Sequence, residues 1–220
     1  MNNELFRWDW FFDHLDEVGQ RTSEHLQLTV IAVGVGFLIS FPLAVFAYRH
    51  RKAYAPITYV TGILYTIPSL ALFAFLVPFT GLSTTTAEVG LVSYTLLIII
   101  RNTVAGLRAV PEDVKEAARG MGYTDRQSLW RIELPLAVPV IVAGLRIATV
   151  TTIGLVTVTA LIGKGGLGYF ILIGLQRFFS TATLTGAVLS MLMAVIADRG
   201  LIYVEHRLTP WARSRAGGSY

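Results

Sequence analysis

From Leu26 to Tyr48 the chain carries no charged side chain. A helix crosses a bilayer core with roughly 20 predominantly apolar residues, so this stretch alone is long enough to span. Ala53 to Ala87 is also uncharged, but too long for one simple span. Pro78, Gly81 and the hydroxyl-rich run Ser83 to Thr86 mark its end as a loop, which predicts a helix at about 55–77. A third span runs from about Ala87 to Leu107. It holds Arg101 near one end, where a long side chain snorkels to the interface. A fourth begins after Pro135 and runs to about Ile162, and a fifth covers about Thr181 to Tyr203. Only 15% of residues are charged, against about 25% in soluble domains. The fold class is therefore all-α: one polytopic integral membrane protein with five spans.

The absence of cysteine excludes disulfides, zinc–thiolate sites and thiol catalysis. His14, His25, His50 and His206 share no metal-ligand spacing. A net charge of +4 would suit nucleic acid, but the basic residues sort by side of the membrane. Arg49, Arg51 and Lys52 fall in the first loop. Arg101, Arg108, Lys115, Arg119, Arg126 and Arg131 fall in the long polar loop and its edges. Arg199, Arg207, Arg213 and Arg215 lie at the C-terminal end. Only Arg7, Arg21, Lys164 and Arg177 fall opposite, with Arg146 left over. That thirteen-to-four bias puts the N-terminus outside and the C-terminus in the cytoplasm, and it excludes nucleic acid as a partner. Glu4 to Ser23 has neither the basic region nor the cleavage site of a signal peptide. Glu4 to Gln20 reads as an amphipathic helix whose Phe6, Trp8, Trp10, Phe11, Phe12 and Leu15 suit the membrane interface. A docking surface for an external partner is the second reading.

The long polar loop has structure of its own. Val110-Pro111-Glu112-Asp113 begins a helix, with proline at the first helical position and acids on the positive end of the dipole. Gly120 and Gly122 stop it. Thr124 and Gln127 form a capping-box pattern that starts a second short helix, which Pro135 ends or bends into the fourth span. The result is two short helices around a glycine corner at Gly122. Ala117 and Ala118 are small, so the first helix fits deep in another protein's groove. Glu116 and Arg119 pair at i,i+3 or reach to that partner.

Glu116-Ala117-Ala118, Gly122, Ile132, Leu134 and Pro135 match the pattern E-A-A-x3-G-x9-I-x-L-P at every fixed position. This resembles the EAA motif of ABC importer permeases, where the loop is gripped by a separate ATPase. The chain is similar, from about Leu26 to Leu208, to permeases with the five-helix, methionine-importer-like core. Within them it looks like the osmoprotectant permeases for glycine betaine, carnitine or choline. Tyr65 to Leu72, Ile100 to Leu107 and Ala160 to Gly168 also carry the likeness. It implies a division into an N-terminal extracytoplasmic segment 1–24, a transmembrane domain 25–208 and a cytosolic tail 209–220. It further implies an assembly with a cytosolic ATPase dimer, a second permease of the same or a homologous chain, and a separate extracytoplasmic substrate-binding protein. The chain itself then holds no cofactor and is no enzyme, with ATP-Mg on the partner ATPase. Glu116, Ala117, Ala118, Arg119 and Gly122 become the ATPase-coupling residues.

Candidate path residues are Tyr65, Pro68 and Ser69 in the second span, where proline frees a carbonyl, and Thr152 and Thr157 in the fourth. Thr149, Thr151, Thr159 and Gly154 accompany these two. Lining a path and ordinary helix packing are both open for each, because hydroxyls also bond back to their own helix. Gly163 to Gly168 lacks the order of a phosphate loop and reads as a tight extracellular turn or a gate. Arg146 lies about 16 Å along the helix from Pro135. It is a midplane charge if the span begins there, and an edge charge if the helix first runs along the interface. Phe73, Phe75, Tyr94 and Tyr169 are candidates for cation–π contact with a quaternary ammonium, or for lipid contact and packing. Two further readings of the whole chain are a permease for another small polar solute, such as an amino acid, and an autonomous secondary transporter. The second would require paired intramembrane carboxylates or inverted repeats. Only Glu88 and Asp198 lie near spans, both toward ends.

Overall fold

The structure, a computed structural model, describes residues 5–210. The chain order is α1 (Trp8–Asp13), α2 (Leu15–Arg49), α3 (Arg51–Thr66), α4 (Ser69–Thr80) and α5 (Thr84–Arg108). Then come α6 (Glu112–Gly120), α7 (Asp125–Ser128), a π turn (Leu129–Glu133), α8 (Leu134–Val158), a 3-10 turn (Thr159–Ile162), α9 (Gly168–Gln176) and α10 (Ser180–Leu208). Four helical runs are long and apolar enough to cross a membrane: Leu15–Arg49, Thr84–Arg108, Asp125–Ile162 and Ser180–Leu208. The bent pair α3–α4 is together long and apolar enough to be a fifth, as a broken span or a re-entrant loop.

Helix α5 is the hub, flanked by α2 and α8, while α10 closes on α8 and α9. Small residues allow these approaches. A Cβ on Gly36 would fall 1.9 Å from Thr95 Oγ1, and one on Gly144 would fall 2.3 Å from Asn102 Cβ. In a bilayer, where lipid offers apolar surface as good as any side chain, such close van der Waals contact drives association. Leu28, Ala32, Phe73, Ala87, Leu91 and Val156 form one core cluster; Leu107, Leu129, Leu134, Ala137 and Ile141 form a second toward the polar loop.

The continuous helix expected at 55–77 is instead two helices meeting at 94°. Pro68 disfavours the helical conformation for the residue before it, and Ile67 is extended at ψ 129°. The carbonyl of Ile67 accepts a hydrogen bond from the Tyr94 hydroxyl, which satisfies a group that apolar surroundings would otherwise penalise. Beyond the corner, α4 packs on α5 with Phe73 in the space left by Gly90.

Three further expectations are corrected. The amphipathic helix placed at Glu4 to Gln20 is only the six-residue α1, and α2 already starts at Leu15 and runs through residue 24 unbroken; Glu4 lies outside the described residues. The fourth span starts at Asp125 rather than after Pro135. Pro135 cannot donate to the carbonyl of Arg131, and the chain widens there into a π turn, with Leu134 N–H reaching Leu129 O. Between Ile162 and Thr181 the sequence reading has only a turn. The structure adds α9, whose nine residues are too short to span and whose Phe170 is fully enclosed. Arg213, Arg215 and most of the tail 209–220 lie outside the described residues.

Candidate functional site: the loop knuckle and the broken span

The polar loop closes with two caps back to back. At the end of α6, Tyr123 N–H donates to Ala118 O at 3.1 Å and Gly122 N–H to Arg119 O at 2.9 Å. This paired pattern requires a left-handed residue between them, and Gly122 supplies it at φ +82°. Immediately after, Thr124 and Gln127 form the reciprocal capping box at the start of α7. The expected second short helix is therefore the first turn of the fourth span, so the knuckle is continuous with a membrane helix.

Several contacts tie the knuckle to the bundle, with Glu133 at their centre. Glu133 is 7% exposed. Its carboxylate accepts from Tyr48 Oη at 2.5 Å and from Ser128 Oγ at 3.0 Å. Arg49 Nη2 donates to the Asp125 carbonyl at 2.7 Å. On α6, Glu112 pairs with Lys115 at 3.4 Å and with Arg119. The Arg119 hydrogen bond, followed by Lys115, holds the Glu112 carboxyl below its ordinary value. Burial works against the Lys115 charge, but Tyr48 and Glu112 outweigh it and raise that ammonium above its ordinary value. Together these groups border a cavity of about 1100 Å3 between the knuckle and the ends of α2, α3 and α5. Arg49, Arg51, Arg108, Lys115, Arg119 and Glu133 are among its lining residues.

The anticipated coupling residues divide by face. Glu116, Ala117, Arg119 and Gly122 are exposed. Ala118 is fully buried within its own chain, so only Ala117 of the alanine pair is open to a foreign groove. Glu116 forms no ion pair among the described residues, because Arg119 turns to Glu112 instead. Sequence reasoning missed Glu133. Its signal was a carboxylate set between Ile132 and Leu134 in an apolar run; the partner Tyr48 is 85 positions away.

Tyr65, Pro68 and Ser69 gather at the α3–α4 corner. Tyr65 is 39% exposed and meets the Tyr94 ring edge-on at 5.9 Å. Thr152 and Thr157 lie apart on α8. Thr152 is buried and donates to Ala148 O at 2.8 Å, and Thr157 donates to Gly154 O at 2.7 Å. Arg146, open between two readings in the sequence, bonds Asp198 through Nε at 2.8 Å and lies 3.9 Å from Glu205. Its neighbour Gly144 packs on Asn102, next to Arg101. Arg101, Arg146 and Asp198 thus share one level, and beyond it 147–162 and 180–197 are uncharged.

The family of binding-protein-dependent transport system inner membrane components matches residues 34–210. The choline transport system permease protein OpuBB of Bacillus subtilis (strain 168) is 39% identical over 90% of this chain and 92% of its own length. The glycine betaine/carnitine/choline transport system permease protein OpuCB of the same organism is 37% identical, over 88% and 89%. The osmoprotectant import permease protein OsmW of Salmonella typhimurium is 35% identical, over 91% and 96%. Among solved structures, the MetNI methionine ABC transporter in an inward-facing conformation superposes with TM-score 0.79 at 25% identity, covering 90% of this chain and 98% of that one. An amino acid ABC transporter gives TM-score 0.72 at 18% identity, over 91% and 98%. With a bundle of apolar spans, a structured polar knuckle and these relatives, the chain belongs to the family of binding-protein-dependent transport system inner membrane components.

Proposed function

We propose that the chain is the transmembrane permease subunit of an ATP-driven importer for osmoprotectants of the glycine betaine, carnitine and choline class. The observation that carries this reading is identity of 35–39% with permease proteins named for those solutes, over about nine-tenths of this chain. The partners are a cytosolic ATPase dimer that binds ATP-Mg, a second permease, and an extracytoplasmic substrate-binding protein. The chain lies N-terminus out and C-terminus in, divided at 1–24, 25–208 and 209–220, with the basic residues of the loop end facing the cytosol.

Glu116, Ala117, Arg119 and Gly122 form the surface that meets the ATPase, and Ala118 seats α6 on its own bundle. Closure of the ATPase dimer on ATP displaces α6 as a rigid body. Glu133 and the unbroken run from Asp125 carry that displacement into α2 and α8. The spans open outward toward the loaded binding protein, and hydrolysis returns them. The path runs over the corner at Tyr65, Pro68 and Ser69 and past Thr157, with Thr152 behind it. Purification of the tagged chain from native membranes in mild detergent, followed by uptake assays in liposomes, tests this. Co-purification of an ATPase and a solute-binding protein, with ATP-dependent betaine, carnitine or choline uptake, is expected. Solute movement by the chain alone without ATP would contradict it.

A further inference from the structure

Along the outer side of α3 runs a groove of about 640 Å3 against α5, lined by Tyr54, Thr58, Tyr59, Tyr65, Leu97 and Arg101 among others. Its charge is unbalanced. Arg101 is exposed and has neither ion pair nor hydrogen bond among the described residues, unlike Arg146 on the neighbouring helix, which has Asp198. Tyr54 is already covered by the Arg108 guanidinium, 4.3 Å from its ring centroid. Tyr59, 71% exposed, and Tyr65, 39% exposed, remain open.

Two fixed contacts set the register of α3 on α5: Tyr54 meets Arg108, and Ile67 meets Tyr94. The helices are antiparallel, so Arg101 is level with Val60 and Thr61, one step from Tyr59. Tyr65 lies about 7 Å further along at 1.5 Å per residue. The groove thus offers a cation at one level and open tyrosine rings at and beyond it. A guanidinium recognises a carboxylate, and an aromatic face recognises a quaternary ammonium. A solute that carries both groups a few ångströms apart satisfies both at once.

We propose that this groove is a transit subsite for zwitterionic quaternary ammonium solutes. Arg101 takes the carboxylate, Tyr59 and Tyr65 take the ammonium, and the second permease subunit covers the open side. The inference rests on the proposed function and adds to it a specificity element within the permease. Arg101 favours zwitterions such as glycine betaine over choline, which has no carboxylate for Arg101 to hold and meets it only as a like charge.

The test is uptake by the full transporter, with its ATPase, in liposomes. Substrate-binding protein saturated with glycine betaine or with choline is supplied, and the ratio of the two maximal rates is read. Arg101→Gln should lower the betaine-to-choline ratio about tenfold, and Arg101→Lys should retain most of it. Tyr59→Leu should slow both solutes several-fold, and Tyr59→Phe, which keeps the ring, should restore the rate. An unchanged ratio in Arg101→Gln, whatever its absolute rate, overturns the subsite and makes Arg101 a headgroup anchor. Equal rates in Tyr59→Leu and Tyr59→Phe overturn the aromatic half. A wild-type transporter that moves neither solute overturns the proposed function itself, and that outcome is separate from the other two.

Discussion

The two ends of the bundle each turn on a glycine with positive φ, and the two glycines are there for different reasons. Gly122, at φ +82°, sits in open space, with no atom near enough to touch an added Cβ. Gly166, at φ +47°, lies against α2, where an added Cβ would fall 2.5 Å from His25 Cβ and 2.7 Å from its backbone N. The knuckle around Gly122 is held by hydrogen bonds and ion pairs and leaves a face exposed. The turn around Gly166 is held by direct backbone packing: Gly165 fits against Ala160 and Gly168 against the Thr157 carbonyl. One end therefore leaves a face open, and the other is closed against its own helices.

Substitution should separate them. Gly166→Val carries left-handed strain of about 1–2 kcal/mol and overpacking of typically 1–3 kcal/mol. It should sharply lower the yield of monodisperse protein in size-exclusion chromatography. Gly122→Val meets only the backbone strain, so the protein should insert and purify normally while ATP-driven uptake falls to background. Normal uptake by that variant would remove the coupling role. Gly122→Asn, a residue that tolerates the left-handed region, should restore much of the uptake, whereas Gly166→Asn should not restore yield. If the two asparagine variants behave alike, the distinction between the corners is wrong.

Glu133→Leu should cost about 1–3 kcal/mol through the stranded Tyr48 and Ser128 hydroxyls, seen as a lower Tm in detergent, and should weaken the link between ATP hydrolysis and uptake. The smallest effect belongs to Glu112→Gln, an exposed pair, which should leave Tm at pH 7 unchanged. The sign of its pH dependence follows from a carboxyl held below its ordinary value. Its pairing with Arg119 and Lys115 is complete above the ordinary carboxylate range and is lost as pH falls through the depressed value. Protease protection of the loop should therefore weaken in acid, and weaken less in Glu112→Gln.

Much of this was legible in the sequence. Uncharged runs located the spans, because a bilayer penalises charge wherever it occurs. Pro111, Gly122 and the Thr124–Gln127 box located the knuckle, because caps are local. What stayed hidden was non-local or too short to signal. Tyr48, which donates to Glu133, and Asp198, which pairs with Arg146, lie on other helices, 85 and 52 positions away. That Ala118 faces inward and Ala117 outward depends on how α6 is rolled against the bundle, which two identical side chains do not reveal. The nine residues of α9 are almost all apolar, so they give no helical periodicity, and they follow glycines that read as a turn. At Pro68 one continuous helix was expected, but Ile67 turns extended, its carbonyl accepts from Tyr94 and the helix breaks outright.

The chain has no cysteine, which makes single-cysteine cross-linking the most direct measurement. Ala117→Cys lies on the exposed face of α6. Phe178→Cys replaces a side chain 97% exposed at the corner between α9 and α10, at the opposite end. In the assembled transporter, a short bifunctional reagent should join Ala117→Cys to the ATPase, with a yield that changes when ATP is bound, and should not join Phe178→Cys to it. A cross-link from Phe178→Cys to the ATPase, with none from Ala117→Cys, would contradict both the coupling surface and the orientation on which it rests.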